Sequence, residues 1–141
     1  MFKIILVAVD GSSDSDRAVL AASELASAHG SELHVCHVFH IPEHYKTDLA
    51  DPLEDAIRQD AEDILEHASR VAKQEGVETR EHLLTTGHPS EAILELAERL
   101  KAGLIVLGGR GRSADTRRPL GSVSGAVTQD APCSVLLVRR S

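Results

Sequence analysis

The stretch 104–126, LIVLGGRGRSADTRRPLGSVSGA, decides the fold of this chain. It begins with five apolar residues, LIVLG, and a short continuous run of this kind is typical of a strand buried on both faces of a parallel sheet. A loop rich in glycine and arginine follows, and a helical pattern starts at about Ser122. A strand, a loop and a helix in this order form the repeating unit of an open α/β sheet. We therefore expect the same unit in the rest of the chain.

The other apolar runs and helical patterns follow the same alternation. Strands are predicted at residues 3–9, 32–39, 77–84 and 133–139, and helices from about Ser13 to His29, from Pro52 to about Glu75, from about Pro89 and from about Ser122. Ser12 or Ser13 is expected to cap the first helix and Asp51 the second, whereas Gly30 and Gly76 end them. Because crossovers between parallel strands are right-handed, we predict an α/β fold: a five-stranded parallel sheet, order 3-2-1-4-5, with helices on both faces.

The predicted strand order places residues 77–84 and 133–139 at the two edges of the sheet, and their hydrophobic patterns differ. Residues 77–84, VETREHLL, alternate between apolar and charged, which is typical of an edge strand or of a strand with one wet face. Residues 133–139, CSVLLVR, are apolar on both faces, and an exposed apolar edge favours pairing with a second chain. The long second helix carries one apolar stripe, made of Leu53, Ile57, Ile64, Leu65, Ala68, Val71 and Ala72.

Length, charge and composition narrow the class of protein. The 141 residues fit one domain, predicted to span residues 1–141. Fifteen basic against twenty-two acidic residues give a net charge of −7, which argues against a general affinity for nucleic acid. No apolar stretch is long enough for a membrane span and no signal peptide is indicated, so we expect a cytoplasmic protein without membrane partners. Cys36 and Cys133 lie in apolar runs and are expected to be buried and reduced.

The loop between Gly108 and Gly121 has the composition of an anion site. In open α/β sheets, ligands bind beyond the carboxyl ends of the strands, and this loop leaves such an end. Glycines at 108, 111 and 121 let backbone N–H groups approach an anion, and the helix start at Ser122 adds unpaired N–H groups and the positive end of a dipole. The hydroxyls of Ser122 and Ser124 are further donors. We expect a phosphate here.

Two standard phosphate motifs fit less well. The P-loop, G-x-x-x-x-G-K-[ST], is absent. Gly109-x-Gly111-x-x-Ala114 imitates the dinucleotide fingerprint, but that fingerprint belongs after the first strand and opens a helix at once. Here it follows the fourth strand, and Pro119 lies in the segment that should be helical.

A glycine motif and four further stretches, all in the right order, resemble the ATP-binding universal stress proteins. Gly108, Gly111 and Gly121-Ser122 fit that family's G-x2-G-x9-G-[ST] motif, and the resemblance extends over essentially the whole chain. The other matching stretches are ILVAVDGS at the start, LHVCHVF, GHPSEAIL, and the closing GSVSGAVTQDAPCSVLLVR. The resemblance implies an adenine-nucleotide α-hydrolase-like fold, a bound adenine nucleotide with or without Mg²⁺, and a homodimer formed through residues 133–139.

The resemblance also implies roles for individual residues. Asp10 would lie near the ribose and adenine, and Val38 would offer backbone groups to the adenine edge. Gly108 and Gly111 would line the phosphates and ribose. Val9 and Leu107 would wall the adenine pocket, and the phosphates would be held by Gly121, Ser122, Val123 and Ser124. Arg112 lies in the spacer where this chain departs from many relatives, which carry more apolar residues there, and it either clamps phosphate or faces water. The roles of Arg110, Arg117 and Arg118 stay open in the same way.

Several other polar residues have both a functional and a structural interpretation. Asp10 ends a central strand, where it would face the ligand or cap the next turn. His34 and His37 point to opposite faces of a strand and cannot share a metal, whereas His40 and His44 fall in a loop and could. The acidic residues of the second helix, Glu54, Asp55, Asp60, Glu62, Asp63 and Glu66, are expected to form a solvated face.

Together these observations predict a dimeric universal stress protein that binds ATP or another adenine nucleotide and acts in stress response or signalling. No residue set fits efficient catalysis, so we expect slow ATP hydrolysis at most, and no metal site built by the protein. Two alternatives stay open: a related protein that acts by protein contacts without nucleotide, and an enzyme that adenylates a substrate.

Overall fold

Strands and helices alternate along the chain in the computed structural model, which describes residues 1–42, 52–109 and 120–139. The elements in chain order are β1 (Ile4–Ala8), α1 (Ser13–His29), β2 (Glu32–Phe39), α2 (Pro52–Gln74), β3 (Thr79–Thr85), α3 (Pro89–Leu100), β4 (Leu104–Gly108), α4 (Ser122–Asp130) and β5 (Ser134–Val138). Each predicted strand and helix is present. β2 and β4 have the predicted bounds.

The strands form one sheet in the order β3-β2-β1-β4-β5. Every pairing between neighbours is parallel, and β1 lies at the centre, with Ile5 in register with Leu33 of β2 and with Leu104 of β4. The prediction of fold class and strand order is therefore confirmed. The chain leaves β1 toward β2 on one side and returns to β4 on the other, so the winding direction switches between β1 and β4, where open α/β sheets place their ligands.

Two apolar clusters cover the two faces of this sheet. On one face Ile5 and Val7 of β1 pack with α1 and α2, through residues such as Val19 and Leu65. On the other face Leu6 and Ile105 pack with α3 and α4, through residues such as Ile93 and Val127. Successive residues of a strand point to opposite faces, so β1 contributes to both clusters. The prediction of helices on both faces is confirmed.

The ends of α1 and α2 follow the predicted capping residues. Ser12, rather than Ser13, caps α1, because its side chain accepts a hydrogen bond from the N–H of Ser15 at 3.2 Å. Gly30 and Gly76, with φ of 65° and 79°, adopt the left-handed conformation that ends a helix. Asp51, the predicted cap of α2, lies outside the described residues.

Several predictions about burial need correction. Leu53 belongs to the predicted apolar stripe of α2 but is 43% exposed, and Ala61, which was not in that stripe, is buried instead. Cys133 is only half-buried, since it precedes the edge strand β5, whereas Cys36 is fully buried. β3 begins at Thr79 rather than Val77, and its place at the end of the strand order confirms an edge strand. The predicted acidic face of α2 is exposed except for the half-buried Glu54.

None of the helices in the described part of the chain is both long and apolar enough to cross a bilayer.

Candidate functional site

A cavity of about 290 Å³ opens at the carboxyl edge of the sheet, between β1 and β4. Its walls come from the ends of β1, β2 and β4, from the first turns of α1 and α3, and from the start of α4. The lining residues are Ala8, Val9, Asp10, Ser15, Cys36, Val38, Pro89, Ile93, Leu107, Gly108, Gly121, Ser122, Val123 and Ser124. Apolar side chains thus surround most of the cavity, and its polar lining consists of serine hydroxyls, the carboxylate of Asp10 and the start of α4.

The predicted site residues converge on this cavity. Nine of the eleven line it, although they are far apart in sequence: Val9, Asp10, Val38, Leu107, Gly108, Gly121, Ser122, Val123 and Ser124. The remaining two, Gly111 and Arg112, lie outside the described residues, as do Arg110, Arg117 and Arg118. The structure therefore brings together every predicted site residue that it describes. Their contact with a ligand stays a prediction.

The N-terminus of α4 faces the cavity with donors available. Gly121 occupies the cap position without a side-chain cap, and its own N–H is donated to the carbonyl of Gly109 at 2.8 Å. The N–H groups of Ser122 and Val123 follow, and the first turn of a helix offers them no acceptor within the helix. Ser122 is exposed, so its hydroxyl is accessible as well. An anion at this helix start would meet N–H donors and the positive end of the dipole.

Ser124 fastens this helix start to the sheet. Its hydroxyl donates to the carbonyl of Gly108 at 2.6 Å, and the side chain is buried. A serine hydroxyl carries one proton, and here that proton is already donated. Ser124 therefore holds α4 against the end of β4, and its contact with a phosphate stays a prediction.

Gly108 lines the cavity, and close packing against α1 requires glycine at this position. A β-carbon at this position would lie 2.9 Å from the backbone carbonyl carbon of Asp14 and 2.9 Å from its Cβ, closer than real contacts allow. Asp14 is in the first turn of α1 and is buried. The absence of a side chain at Gly108 thus lets α1 approach the end of β4.

Asp10 combines the two roles that the sequence left open. It lines the cavity, and its carboxylate accepts a hydrogen bond from the N–H of Ser12 at 2.9 Å. This bond fixes the turn between β1 and α1. Among the described residues that line the cavity, Asp10 is the only charged one. A ligand would therefore meet negative charge at the end of β1 and the positive helix start at α4.

Five lining residues were not predicted: Ala8, Ser15, Cys36, Pro89 and Ile93. Two-residue alternation could have indicated one of them, because Cys36 precedes Val38 on the same face of β2. Pro89 and Ile93 are one helical turn apart on α3, but nothing in the sequence shows that α3 borders the cavity. Burial raises the pKa of the Cys36 thiol to about 12, so this side chain is a protonated part of the wall.

The histidines of β2 point to opposite faces, as predicted. The Nδ1 of His34 lies 2.8 Å from the Nε2 of His82 on β3, and the Nε2 of His34 lies 2.6 Å from a carboxylate oxygen of Glu32. His37 instead donates from Nδ1 to the carbonyl of Val9 at 2.8 Å. His44 lies outside the described residues. Within residues 1–42, 52–109 and 120–139, no group of three or more histidine, cysteine or acidic side chains could hold a metal ion.

Known proteins resemble this chain in sequence and in fold. The model of the Universal stress protein family matches residues 1–139. A universal stress protein of Thermus aquaticus, named for the 3′ region of QAH/OAS sulfhydrylase, is 41% identical over 141 residues, which cover 99% of this chain and 100% of the relative. A solved universal stress protein in complex with cAMP is 32% identical, with a TM-score of 0.79 over 99% of both chains. Another, from Archaeoglobus fulgidus in complex with dAMP, is 27% identical, with a TM-score of 0.73 over 97% of this chain and 98% of its own. This chain therefore belongs to the universal stress protein family.

Proposed function

We propose that this protein binds an adenine nucleotide, ATP or a related one, in the cavity between β1 and β4. One observation carries the proposal: an apolar cavity that ends at the uncapped N-terminus of α4. A flat aromatic base fits an apolar wall, and a phosphate fits a helix start that offers N–H groups.

The lining residues suggest how the nucleotide lies. Val9, Val38 and Leu107 would enclose the base, and Asp10 would face the ribose hydroxyls as a hydrogen-bond acceptor. Ser122 and Val123 would bind phosphate through their N–H groups. The two relatives solved with cAMP and dAMP support this choice, since both ligands combine adenine with a phosphate.

Mg²⁺ would accompany a nucleotide triphosphate. It prefers oxygen ligands and keeps several waters, so phosphate oxygens and water would supply most of its ligands. Asp10 is the one carboxylate among the described lining residues, and it is the residue that could contribute. The donor set thus fits an ion brought by the ligand better than an ion held by the protein alone.

Binding, rather than rapid turnover, is the expected activity. Within the described lining, Asp10 already accepts a hydrogen bond from Ser12, and Cys36 stays protonated. We infer that occupancy of the cavity acts as a signal to partner proteins in a stress response, with slow ATP hydrolysis at most.

A homodimer through β5 is the second part of the proposal. β5 is at the edge of the sheet, and Val135, Leu136, Leu137 and Val138 are each only half-buried. An edge strand presents a row of backbone N–H and C=O groups. A two-fold axis would pair this strand with its own copy in antiparallel orientation and would cover both apolar faces at once.

The nucleotide part can be tested with Ser122→Glu. A carboxylate in the first turn stabilises a helix, so the protein should fold at least as well, but the negative charge would repel a phosphate. Calorimetry with AMP, ADP, ATP and cAMP should show binding to the unmodified protein and a loss of at least ten-fold in the variant. Gln129→Glu is the matched control, because it adds the same charge to an exposed position at the far end of α4.

Two results would count against the proposal. In the first, mass spectrometry of the denatured protein finds no adenine nucleotide and calorimetry detects no binding of AMP, ADP, ATP or cAMP. The cavity would then have another ligand. Alternatively, equal losses in Ser122→Glu and Gln129→Glu would show that net charge, rather than the start of α4, decides the affinity.

A further inference from the structure

Gly109 connects the start of α4 to the edge strand β5 through both of its backbone polar groups. Its N–H donates to the carbonyl of Val138, the last residue of β5, at 3.2 Å. Its own carbonyl accepts from the N–H of Gly121 at 2.8 Å. One buried residue therefore separates the cap of α4 from the end of β5.

A second contact makes this connection stiff. The hydroxyl of Ser124 donates to the carbonyl of Gly108, and Gly108 is in register with Val138 in the parallel pair of β4 and β5. The start of α4 is thus bonded to Gly108, the last residue of β4, and to Gly109, which follows it, and through them to β5. A displacement of α4 would strain these bonds together, because buried backbone groups are costly to leave unpaired.

We propose that occupancy of the cavity and pairing of the outer edge of β5 with a second copy of this chain reinforce each other through Gly109. This inference rests on the proposed function and adds regulation to it. A phosphate bound by Ser122 and Val123 holds the cap of α4 in place. The cap holds Gly109, and Gly109 holds the carbonyl of Val138. The end of β5 is then kept extended for its partner.

The geometry of β5 explains why the occupant is a second copy. Backbone groups of successive strand residues point to opposite edges. The carbonyl of Val138 faces β4, so the N–H and C=O groups of Leu137 and Val135 face outward. Both faces of this strand are apolar and half-buried. A strand with these properties complements itself across a two-fold axis, and an end that is already ordered loses less entropy when it pairs.

Linkage makes the coupling measurable in both directions. If saturating nucleotide strengthens a dimer with two cavities by some factor, dimerisation must strengthen binding at each cavity by the square root of that factor. Coupling between two sites typically amounts to 5–150-fold, and we expect about ten-fold here. The dimer dissociation constant is measured by sedimentation, without nucleotide and with saturating AMP or ATP.

Two substitutions at the same position test the route. Gly109→Ala keeps the N–H, and its β-carbon would be 3.7 Å from Cγ of Arg139 and 3.9 Å from the carbonyl oxygen of Val138, which are ordinary contacts. Gly109→Pro removes the N–H, and the extended Gly108 before it tolerates a following proline. Nucleotide should tighten the dimer about ten-fold in the unmodified protein and in Gly109→Ala, and by less than two-fold in Gly109→Pro.

The unmodified protein alone can overturn the inference, so folding of the proline variant is not essential. If nucleotide binds and the dimer constant stays the same, the coupling does not exist, although the proposed binding stands. If no nucleotide binds, both the proposed function and the coupling that rests on it are refuted. A chain that stays monomeric at all concentrations would refute the pairing of β5. Full coupling in Gly109→Pro would refute the route through Gly109.

Discussion

At Gly108 the end of β4 passes against the backbone of Asp14 in α1, and a β-carbon would lie 2.9 Å from it. Backbone atoms cannot turn aside as the end of a flexible side chain can. We therefore expect Gly108→Ala to destabilise the protein by about 1–3 kcal/mol, the usual cost of inserting a methyl group into a packed region. Urea unfolding would measure this as a lower midpoint.

The neighbouring glycine is the matched control. A β-carbon at Gly109 has its nearest contacts at 3.7 and 3.9 Å, so Gly109→Ala should change the stability by less than about 0.5 kcal/mol. Similar losses for both variants would contradict this interpretation and would indicate that flexibility of the loop, rather than the approach of α1, requires glycine. If Gly108→Ala binds nucleotide weakly, the lower affinity would reflect the loss of folding stability rather than a lost contact with the ligand.

His82 should make the stability depend on pH. Burial lowers the pKa of His82 below its usual value near 6.5, and the neighbouring His34 and Arg99 lower it further. As the pH falls through about 6.5, the unfolded chain takes up a proton that the folded protein does not, so the unfolded state gains stability. The loss of folding stability should continue until the pH reaches the lowered pKa of the folded state.

Urea midpoints between about pH 8 and 5 would detect this loss, and His82→Gln should remove part of it. Arg99→Gln should remove a smaller part, since Arg99 is the weakest of the three causes. Two further charged groups lie near the pair of His34 and His82. The carboxylate of Glu32 is hydrogen-bonded to His34, and Nη1 of Arg80 lies 3.2 Å from a carboxylate oxygen of Glu32. A pH dependence that is unchanged in both variants would show that other groups determine it.

At the scale of elements, the attachment of α4 to β4 decides whether the helix start can serve as an anion site. Ser124→Ala deletes the bond to Gly108 and leaves a buried carbonyl without that partner, at a cost of about 1–3 kcal/mol. We expect nucleotide affinity to fall several-fold as well, because the donors of Ser122 and Val123 are no longer held in position. Calorimetry and urea unfolding measure the two effects separately.

Ser124→Thr should restore both properties, since it returns the hydroxyl. Thr128→Val is the matched control: the hydroxyl of Thr128 also donates within α4, to the carbonyl of Ser124 at 2.7 Å, but it does not bridge to the sheet. Equal effects of Ser124→Ala and Thr128→Val on nucleotide affinity would indicate that helix stability alone matters. Affinity that Ser124→Ala leaves unchanged would show that the attachment of α4 does not position the anion site.

At the scale of the whole molecule, local signals predicted the elements and their order. Continuous apolar runs bounded by turn residues predicted the bounds of β2 and β4. Glycine spacing and strand-end polarity located the glycines of the cavity lining, the serines of α4 and Asp10, whereas Val9, Val38 and Leu107 were implied only by the resemblance to the family. Contacts between distant segments could not be predicted in this way. The pairing of His34 with His82 depends on the register of β2 and β3, and the border of α3 on the cavity depends on how helices pack.

The dimer is the largest-scale prediction, and Leu137 offers a way to test it without breaking the sheet. Its N–H faces away from β4, so Leu137→Pro removes a donor from the outer edge of β5 and leaves the bonds to β4 in place. Sedimentation should show a weaker dimer, by at least ten-fold, and a monomer that stays folded. Leu137→Ala is the control, because it also shortens the side chain that packs on the cluster of Leu6 and Ile105 but keeps the N–H. If alanine weakens the dimer as much as proline does, side-chain packing rather than backbone pairing holds the subunits together. If neither variant changes the mass in solution, the two copies do not meet at β5.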